Sequence, residues 1–408
     1  TDGSSRFHKS NQWGNFWSVG ASWRISEENF MKSTSDWLNN LTLKASYGVQ
    51  GNDNLGSFYA WQGLFDYSWS NGTRPGAAAT SIENRLVTWE KNGNLNTGIE
   101  ASMFGGRLTS TIEYYSRRTR DMLLNNPLAI SSGFSGYDDN VGSMVNRGLE
   151  TSFRGVIFDR SNFHWDASLM LSMNRNKVTE LTSSQDVINY GSVVIEKGKP
   201  IYTFYMSKSA GVSPSTGRQL YYAYYRYAVD KTGSIVTEKC DEYVTDNVGL
   251  ASLSKYYYGS RQALFSGSFS SNFTFFKNFD FSFLTTFSVG GKIYDSLYGG
   301  AMNVTYAGNN WHKNVLRRWQ QPGDITDVPL VEIGGSRSST GEELIDASYF
   351  AIKNITLGYT LPIKNTSVPK IRVYGSVDNV CTITGYSGID YCSVPSTASF
   401  TFGVNLTF

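Results

Sequence analysis

Apolar and polar residues alternate at every second position in many segments of this chain. In residues 94–104, Leu95 and Ile99 lie on one face of such a segment. Asn96 and Glu100 lie on the other face. A period of two is typical of a β-strand whose two sides meet different environments. No long segment keeps a helical period, so the pattern predicts an all-β fold.

The alternation predicts thirteen strands along the chain. They lie near residues 13–24, 38–49, 93–104, 107–120, 143–158, 163–178, 200–213, 218–229, 262–276, 279–291, 346–361, 369–380 and 398–408. Residues 1–7 are expected to end an earlier strand. The two strands within 200–229 show the weakest alternation. They are predicted mainly because the directions of the strands along the barrel must alternate.

Short and long connections alternate between these strands. The short ones are residues 105–106, 159–162, 277–278 and 362–368. The long ones are residues 50–92, 121–142, 230–261, 292–345 and 381–397. Gly105-Gly106 suits a tight hairpin turn, because glycine tolerates the left-handed conformation. Tight turns at one end and long loops at the other predict a transmembrane antiparallel β-barrel of the outer-membrane type.

Composition is compatible with such a barrel. Aromatic residues make up 15% of the chain and charged residues only 17%, while the mean hydropathy is −0.31. A transmembrane barrel keeps its average hydropathy mild, because its apolar residues occupy only alternate positions. The net charge of +2 gives no reason to expect a nucleic-acid partner.

Candidate chemistry is sparse in this sequence. The three histidines, His8, His164 and His312, are far apart, and none has a cysteine at metal-ligand spacing. No nucleophile–base motif is present. We therefore expect no catalytic residue, metal or cofactor. Cys381 and Cys392 flank a short segment, and both a disulfide and two free thiols remain open.

Two groups of side chains have predicted positions in the barrel. Aromatic residues near strand ends suit interfacial girdles: Trp13, Trp17, Trp23, Trp37, Trp89, Tyr114, Tyr115, Trp165, Tyr349 and Tyr359. Charged residues share the polar face of three neighbouring strands: Glu100, Glu113, Glu150, Arg107, Arg117 and Arg154. Two interpretations of the charged set remain, a lumen that guides a solute and a structural ion-pair network, which we favour.

Several blocks resemble the SusC/RagA family of TonB-dependent outer-membrane transporters. They are "DGSSRF" (2–7), "WGNFWSVGASWRISEENFM" (13–31), "LTLKASYGVQGN" (41–52), "NVGSMVNRGLE" (140–150), "NRNKVTEL" (174–181), "RRWQQPGDITDVP" (317–329), "DASYFAIKNITLGYTLP" (346–362), "GYSGID" (385–390) and "TFGVNLTF" (401–408). The resemblance implies a 22-stranded barrel, of which residues 1–408 supply about the last fourteen strands. It also implies a plug domain and first strands that this chain does not contain.

The resemblance implies TonB-dependent import of a nutrient oligomer across the Gram-negative outer membrane. An oligosaccharide is the favoured substrate and a peptide is possible. The implied partners are a SusD-like surface lipoprotein, outer-membrane lipid, and TonB–ExbB–ExbD acting through the missing N-terminal region. A passive porin and a non-transporting surface barrel or adhesin remain alternatives.

Loop aromatics are the candidate contacts with substrate or with the lipoprotein, because their rings offer large apolar faces at low entropy cost. They are Tyr59, Trp61, Tyr67, Trp69, Tyr298 and Trp311. The C-terminal Phe408 resembles the signal read by the outer-membrane assembly machinery.

Overall fold

A computed structural model describes residues 1–181, 187–306, 308–362, 370–385 and 397–407. Eleven antiparallel strands form one sheet, in which every strand pairs with its neighbours in chain order. They are β1 (Trp17–Arg24), β2 (Leu38–Asn52), β3 (Glu90–Met103), β4 (Leu108–Arg120), β5 (Gly142–Arg160), β6 (Phe163–Leu181), β7 (Phe265–Phe275), β8 (Phe279–Val289), β9 (Tyr349–Leu361), β10 (Lys370–Thr384) and β11 (Ser399–Thr407). The predicted antiparallel β-barrel wall is confirmed.

The sheet has one apolar and one polar face. In β11, Phe400, Phe402 and Val404 are 71%, 86% and 61% exposed. Ser399, Thr401 and Asn405 occupy the alternate positions on the polar face, as the alternation predicts. A contiguous exposed apolar face marks a surface that another apolar phase covers, and lipid is that phase for a transmembrane barrel.

The connections separate into two ends of the wall. The turns between β3 and β4, β5 and β6, and β7 and β8 are short and lie at one end, named here the turn end. At the turn after β3, Phe104, Gly105 and Gly106 all have positive φ values of 58°, 68° and 83°, which confirms the predicted tight turn. The connections 53–89, 121–141, 182–264 and 290–348 leave from the opposite end, named the loop end.

The prediction that residues 200–229 cross the wall is wrong. Thr203–Val212 and Gln219–Val229 do form strands, but they lie in a separate sheet within the connection from β6 to β7. In the part of the chain that the structure describes, the wall therefore has eleven strands instead of about fourteen. Thr203 and Phe204 are adjacent and only 3% and 1% exposed, so both strand faces are covered by protein. A wall strand leaves one face for lipid.

The predicted first strand is shorter than expected. Trp13–Gly14 pairs with Asp2–Gly3 in a small ladder outside the main sheet. The wall strand β1 begins only at Trp17. Residues 1–7 thus belong to the loop end, where Phe7 is fully buried.

The separate sheet belongs to a folded unit at the loop end. Its strands run in the order Val187–Tyr190, Val193–Glu196, Thr203–Val212, Gln219–Val229 and Ile235–Thr245, and Lys255–Gly259 pairs with Thr203–Val212. Helix α1 (Val248–Leu253) follows the fifth strand. We name this sheet, together with the described residues of 290–348 and helix α2 (Ser296–Ala301), the loop cap.

Hydrogen bonds join the two parts of the loop cap. The hydroxyls of Ser207 and Ser338 are 2.8 Å apart. The backbone N–H of Ser338 donates to the hydroxyl of the fully buried Tyr221 over 3.1 Å. The backbone N–H of Ser209 donates to the Glu342 carboxylate over 3.0 Å. The two longest connections therefore fold as one unit.

Shorter elements complete the loops and the first turn. The other strands are Phe65–Asp66, Ser70–Asn71, Arg74–Pro75, Ala78–Ala79, Leu123–Pro127, Gly136–Asn140, Lys292–Tyr294 and Leu344–Asp346. The 3-10 helices are Ile25–Glu27, Asn29–Thr34, Ile130–Ser132, Lys313–Arg317 and Gly341–Glu343. No helix in the described part of the chain is long and apolar enough to cross a membrane.

Aromatic rings gather on the apolar face at the turn end. Trp165 stacks on Phe273 with ring centroids 5.5 Å apart and on Phe158 at 5.8 Å. The indole N–H of Trp165 donates to the Ser271 hydroxyl over 2.8 Å. This amphipathic cluster agrees with an interfacial girdle.

Several of the predicted girdle residues lie elsewhere. Trp13 is in the small ladder outside the main sheet, and Tyr349 lies on the polar face of β9. Trp89 is only 7% exposed and packs with Phe7 in a loop-end core. Tyr115 faces the polar side, where its ring covers Gly148 so closely that a Cβ there would lie 2.5 Å away. Alternation alone did not separate these rings from those at the membrane interface.

Candidate functional site

Ion pairs connect neighbouring strands on the polar face of the wall. Lys44 of β2 pairs with Glu100 of β3. Arg154 of β5 lies 4.0 Å from Asp166 of β6, which also lies 3.6 Å from the imidazole of His164. Sequence reasoning missed Lys44 and Asp166, because a cross-strand partner depends on register.

The remaining members of the predicted charged set have different environments. Arg107 donates to the backbone carbonyls of Val156 and Ile157 at the turn end. Glu113 and Glu150 are directly opposite in the β4–β5 register, and neither forms an ion pair within the described part of the chain. Within the described residues, the predicted charged set thus takes part in two separate ion pairs and forms no single network.

A cluster of buried polar side chains lies on the polar face of the wall near the loop end. Glu90 is 9% exposed and accepts hydrogen bonds from the side-chain amides of Asn52 and Asn92, each at 3.1 Å. The Asn92 carbonyl in turn accepts from Arg117 over 3.0 Å and from Thr119 over 2.7 Å. Because a buried carboxylate is stable only when it is hydrogen-bonded, these residues fix the geometry of β2, β3 and β4 where the loops begin.

Of the four candidates in residues 53–89, three are open to solvent. Tyr59, Tyr67 and Trp69 are 58%, 76% and 61% exposed. The Trp69 indole donates to Asp66 over 3.1 Å. Hydrogen bonds from the backbone N–H and hydroxyl of Ser68 lower the pKa of Asp66, so this acceptor stays charged. Trp69 is therefore held in place with its ring available.

Trp61, the fourth candidate in this connection, packs against a loop-end core. It contacts the core of Phe7, Val87 and Trp89, and it meets the His8 ring edge-on at a centroid distance of 5.2 Å.

Tyr298 and Trp311 also pack within the loop cap. Both lie against the small core that includes Met302 and Val315. The Tyr298 hydroxyl accepts from the Asn314 side chain over 2.8 Å. No described contact joins these two residues to the candidates in residues 53–89. Phe408 and Cys392 lie outside the described residues, so the assembly signal and the pairing with Cys381 stay predictions.

Tyrosines of the segments "YYAYYRY" (221–227) and "YYY" (256–258) form a tyrosine-rich surface on the loop cap. This surface was not predicted from the sequence. The Tyr205 and Tyr257 ring centroids lie 4.7 Å apart. The Tyr256 hydroxyl donates to Glu242 over 2.6 Å, and burial together with this carboxylate raises the pKa of Tyr256.

Cations lie over several of these tyrosine rings. The Lys208 ammonium lies 4.3 Å from the centroid of the Tyr222 ring, and the Lys199 ammonium lies 3.8 Å from that of Tyr257. Aromatic faces alternating with charged groups can contact both apolar and polar parts of a ligand.

A cleft of about 220 Å³ lies between the two parts of the loop cap. Arg218 lies on its wall and forms ion pairs with Asp246 at 3.6 Å and with Glu332 at 3.4 Å. Tyr221 and Arg337 also line it. Its charges are paired within the protein, so the cleft is a polar recess between loops.

Comparison with known proteins identifies the family to which this chain belongs. The family model for the β-barrel of TonB-dependent receptor-like proteins matches residues 1–380. The chain belongs to this family. Its relatives place it in the SusC/RagA group: SusC of Bacteroides thetaiotaomicron is 29% identical over the whole of this chain. The TonB-dependent receptor P39 of Formosa agariphila is 30% identical over 95% of it.

A solved structure shows the same fold. The RagAB peptide transporter superposes on 99% of this chain with a TM-score of 0.82 and 28% identity. The chain spans about two fifths of the length of its curated relatives, 40% for P39 and 41% for SusC. As a TonB-dependent receptor barrel it is located in the outer membrane of a Gram-negative bacterium, and its exposed apolar face is the lipid-facing side.

Proposed function

We propose that this chain supplies part of the wall and extracellular loops of a receptor that imports a nutrient oligomer across the outer membrane with energy from TonB. The observation that supports this proposal is that the polar face of the wall leads to a loop end where the connection 53–89 exposes aromatic rings beside the folded loop cap. Family membership supports import, and the substrate class proposed here is an oligosaccharide.

The exposed rings are the proposed contacts with that oligomer. Tyr59, Tyr67 and Trp69 present free faces, and stacking on a sugar ring uses such a face. Trp61, Tyr298 and Trp311 act indirectly in this proposal, since they pack in the small cores that hold the loops.

The partners are proposed from the relatives. A SusD-like surface lipoprotein would cover the loop end, and TonB–ExbB–ExbD would act through a plug domain. We propose that the plug and the other barrel strands lie in a part of the protein outside residues 1–408. RagAB, which resembles this chain at 28% identity, is a peptide transporter, so a peptide is the competing substrate class.

The test is uptake in a strain deleted for the full-length receptor and complemented with it. Growth on oligosaccharide mixtures and on peptide mixtures as sole carbon sources identifies the class. We expect oligosaccharide-dependent growth that is lost when TonB is also deleted. Uptake that persists without TonB would indicate a passive porin, and no uptake of either class would indicate a non-transporting barrel.

A further inference from the structure

Six basic residues lie together on the lipid-facing side of the wall near the loop end. All six are exposed. We name them the basic belt: Lys91 of β3, Arg118 and Arg120 of β4, Arg147 of β5, and Arg175 and Lys177 of β6.

Strand register places the belt next to the apolar band. Tyr114, Leu149 and Met173 are opposite one another and are 41%, 39% and 43% exposed. Two residues further toward the loops, Arg147 of β5 is opposite Arg175 of β6. Two residues along a strand span about 7 Å, so the first cations follow the last apolar row directly.

The next rows continue the belt. Val145 of β5 lies between Arg118 of β4 and Lys177 of β6, and it is directly opposite both. Beyond them Lys91 is opposite Arg120. The belt thus extends over four adjacent strands at the height where the lipid-facing surface meets the loops.

The belt has no counter-charge within the described part of the chain. None of its six members forms an ion pair with a carboxylate there. Among the described residues, Arg175 donates to the backbone carbonyls of Asn174 and Leu264, each at 3.2 Å. Like charges directly opposite each other, such as Arg147 and Arg175, destabilise a strand pair. An external anion would remove that cost.

We propose that the basic belt binds the phosphate groups of a phosphorylated lipid in the outer leaflet. Guanidinium groups bind phosphate through paired hydrogen bonds, and basic side chains at a membrane surface attract anionic headgroups. A lipid fits better than a soluble anion or a protein, because its acyl chains would contact the adjacent Tyr114, Leu149 and Met173. This role is independent of the transported solute.

The test compares lipid binding by the purified full-length receptor and a triple variant. The variant is Arg147→Gln, Arg175→Gln and Lys177→Gln. Native mass spectrometry in detergent measures retained bisphosphorylated lipid A, with enzymatically dephosphorylated lipid A as the second probe. We expect at least about a tenfold loss of the phosphorylated lipid in the variant, and weak binding of the dephosphorylated lipid by both proteins.

A matched control removes the same charge from exposed loop positions: Lys9→Gln, Lys197→Gln and Lys231→Gln. It should retain the lipid. Equal lipid binding by the belt variant, an equal loss in the control, or equal binding of the dephosphorylated probe would each overturn the proposal. The proposal would also be overturned if the belt variant kept the lipid but lost a protein that co-purifies with the unmodified receptor, because the belt would then bind that protein.

A salt titration keeps the proposal testable should the triple variant not fold. In the unmodified receptor, raising NaCl to 0.5 M should release the phosphorylated lipid, because salt screens exposed charges. The single variant Lys177→Gln should release it at lower salt. Salt-independent retention in both proteins would contradict the proposal.

Discussion

Arg372 of β10 reaches across β9 to hold Asp280 of β8. Its Nε donates to one carboxylate oxygen over 2.9 Å, and its Nη2 contacts the other. The side chains pass over Gly358 of β9, where a Cβ would lie 2.5 Å from both charged groups. A glycine in the middle strand therefore permits an ion pair between strands that are not neighbours.

The first prediction concerns that glycine. Gly358→Ala should lower the free energy of unfolding by about 1–2 kcal/mol, because the added methyl group would push apart the partly exposed ion pair between Arg372 and Asp280. Gly155→Ala is the control, since a Cβ there would lie 3.9 Å from its nearest neighbour. Urea unfolding of the full-length receptor in lipid vesicles measures both. Equal effects at the two positions would contradict this explanation.

The second prediction tests the two faces of β6. Leu169 lies on the apolar face between Phe153 and Phe269. Leu169→Arg should cost about 2–4 kcal/mol, because the charge enters lipid. Ser172 faces inward opposite Glu150, so Ser172→Arg gains an opposite charge and should be tolerated. Heat-modifiable gel mobility reports the folded fraction, and comparable losses from both substitutions would show that the faces are misassigned.

The third prediction tests the orientation in the membrane. A peptide tag inserted at Gly233, an exposed turn residue of the loop cap, should bind antibody on intact cells. A tag at Gly105 in the turn end should bind only after lysis. Ser338 would be a poor position, because it is hydrogen-bonded to Ser207 and Tyr221. The reverse labelling pattern would mean that the loops face the periplasm.

The fourth prediction separates contact residues from packing residues. Tyr67→Ala and Trp69→Ala should each weaken solute binding about 5–150-fold, because stacking on an aromatic ring contributes about 1–3 kcal/mol for other flat rings. They should leave the thermal unfolding temperature unchanged. Trp61→Ala should instead increase proteolysis of residues 53–89, because it removes a packed ring from the Phe7–Trp89 core. Isothermal titration calorimetry and limited proteolysis distinguish these outcomes; unchanged binding in the first pair would eliminate them as contacts.

The fifth prediction is a loss of loop-cap stability at high pH. Burial raises the pKa of Tyr256 and Tyr257 in the cap, and their hydrogen bonds to Glu242 and Glu196 act in the same direction. Above about pH 10 a tyrosine in an unfolded chain loses its proton while these keep theirs, so stability falls as pH rises through that range. Proteolysis of the cap should therefore accelerate above about pH 10, and less steeply in Tyr256→Phe. A rate independent of pH up to 11.5 would be inconsistent with this assignment.

Much of the wall could be predicted from the sequence, because lipid on one side and polar groups on the other impose a strict period of two. β4, for example, is predicted at residues 107–120 and observed as Leu108–Arg120. The Gly105-Gly106 turn was predictable for an equally local reason. These features depend on a few neighbouring residues.

The loop cap and the polar contacts could not be predicted in the same way. The strand Thr203–Val212 alternates like a wall strand, and only its burial on both sides distinguishes it. The pairing of Lys44 with Glu100 requires the register between β2 and β3, and the bridge from Arg372 to Asp280 requires three strands. Such features depend on the tertiary arrangement.

The bond between Ser207 and Ser338 also has a consequence for assembly. The two residues lie on opposite sides of the β7–β8 hairpin in the chain, 131 residues apart. When that hairpin forms, the backbone N–H of Leu264 bonds to the carbonyl of Val289 and brings the ends of both connections together. Hairpin pairing thereby lowers the entropy cost of closing the cap. Pairing of the membrane strands and closure of the surface cap are thus thermodynamically coupled, and each stabilises the other.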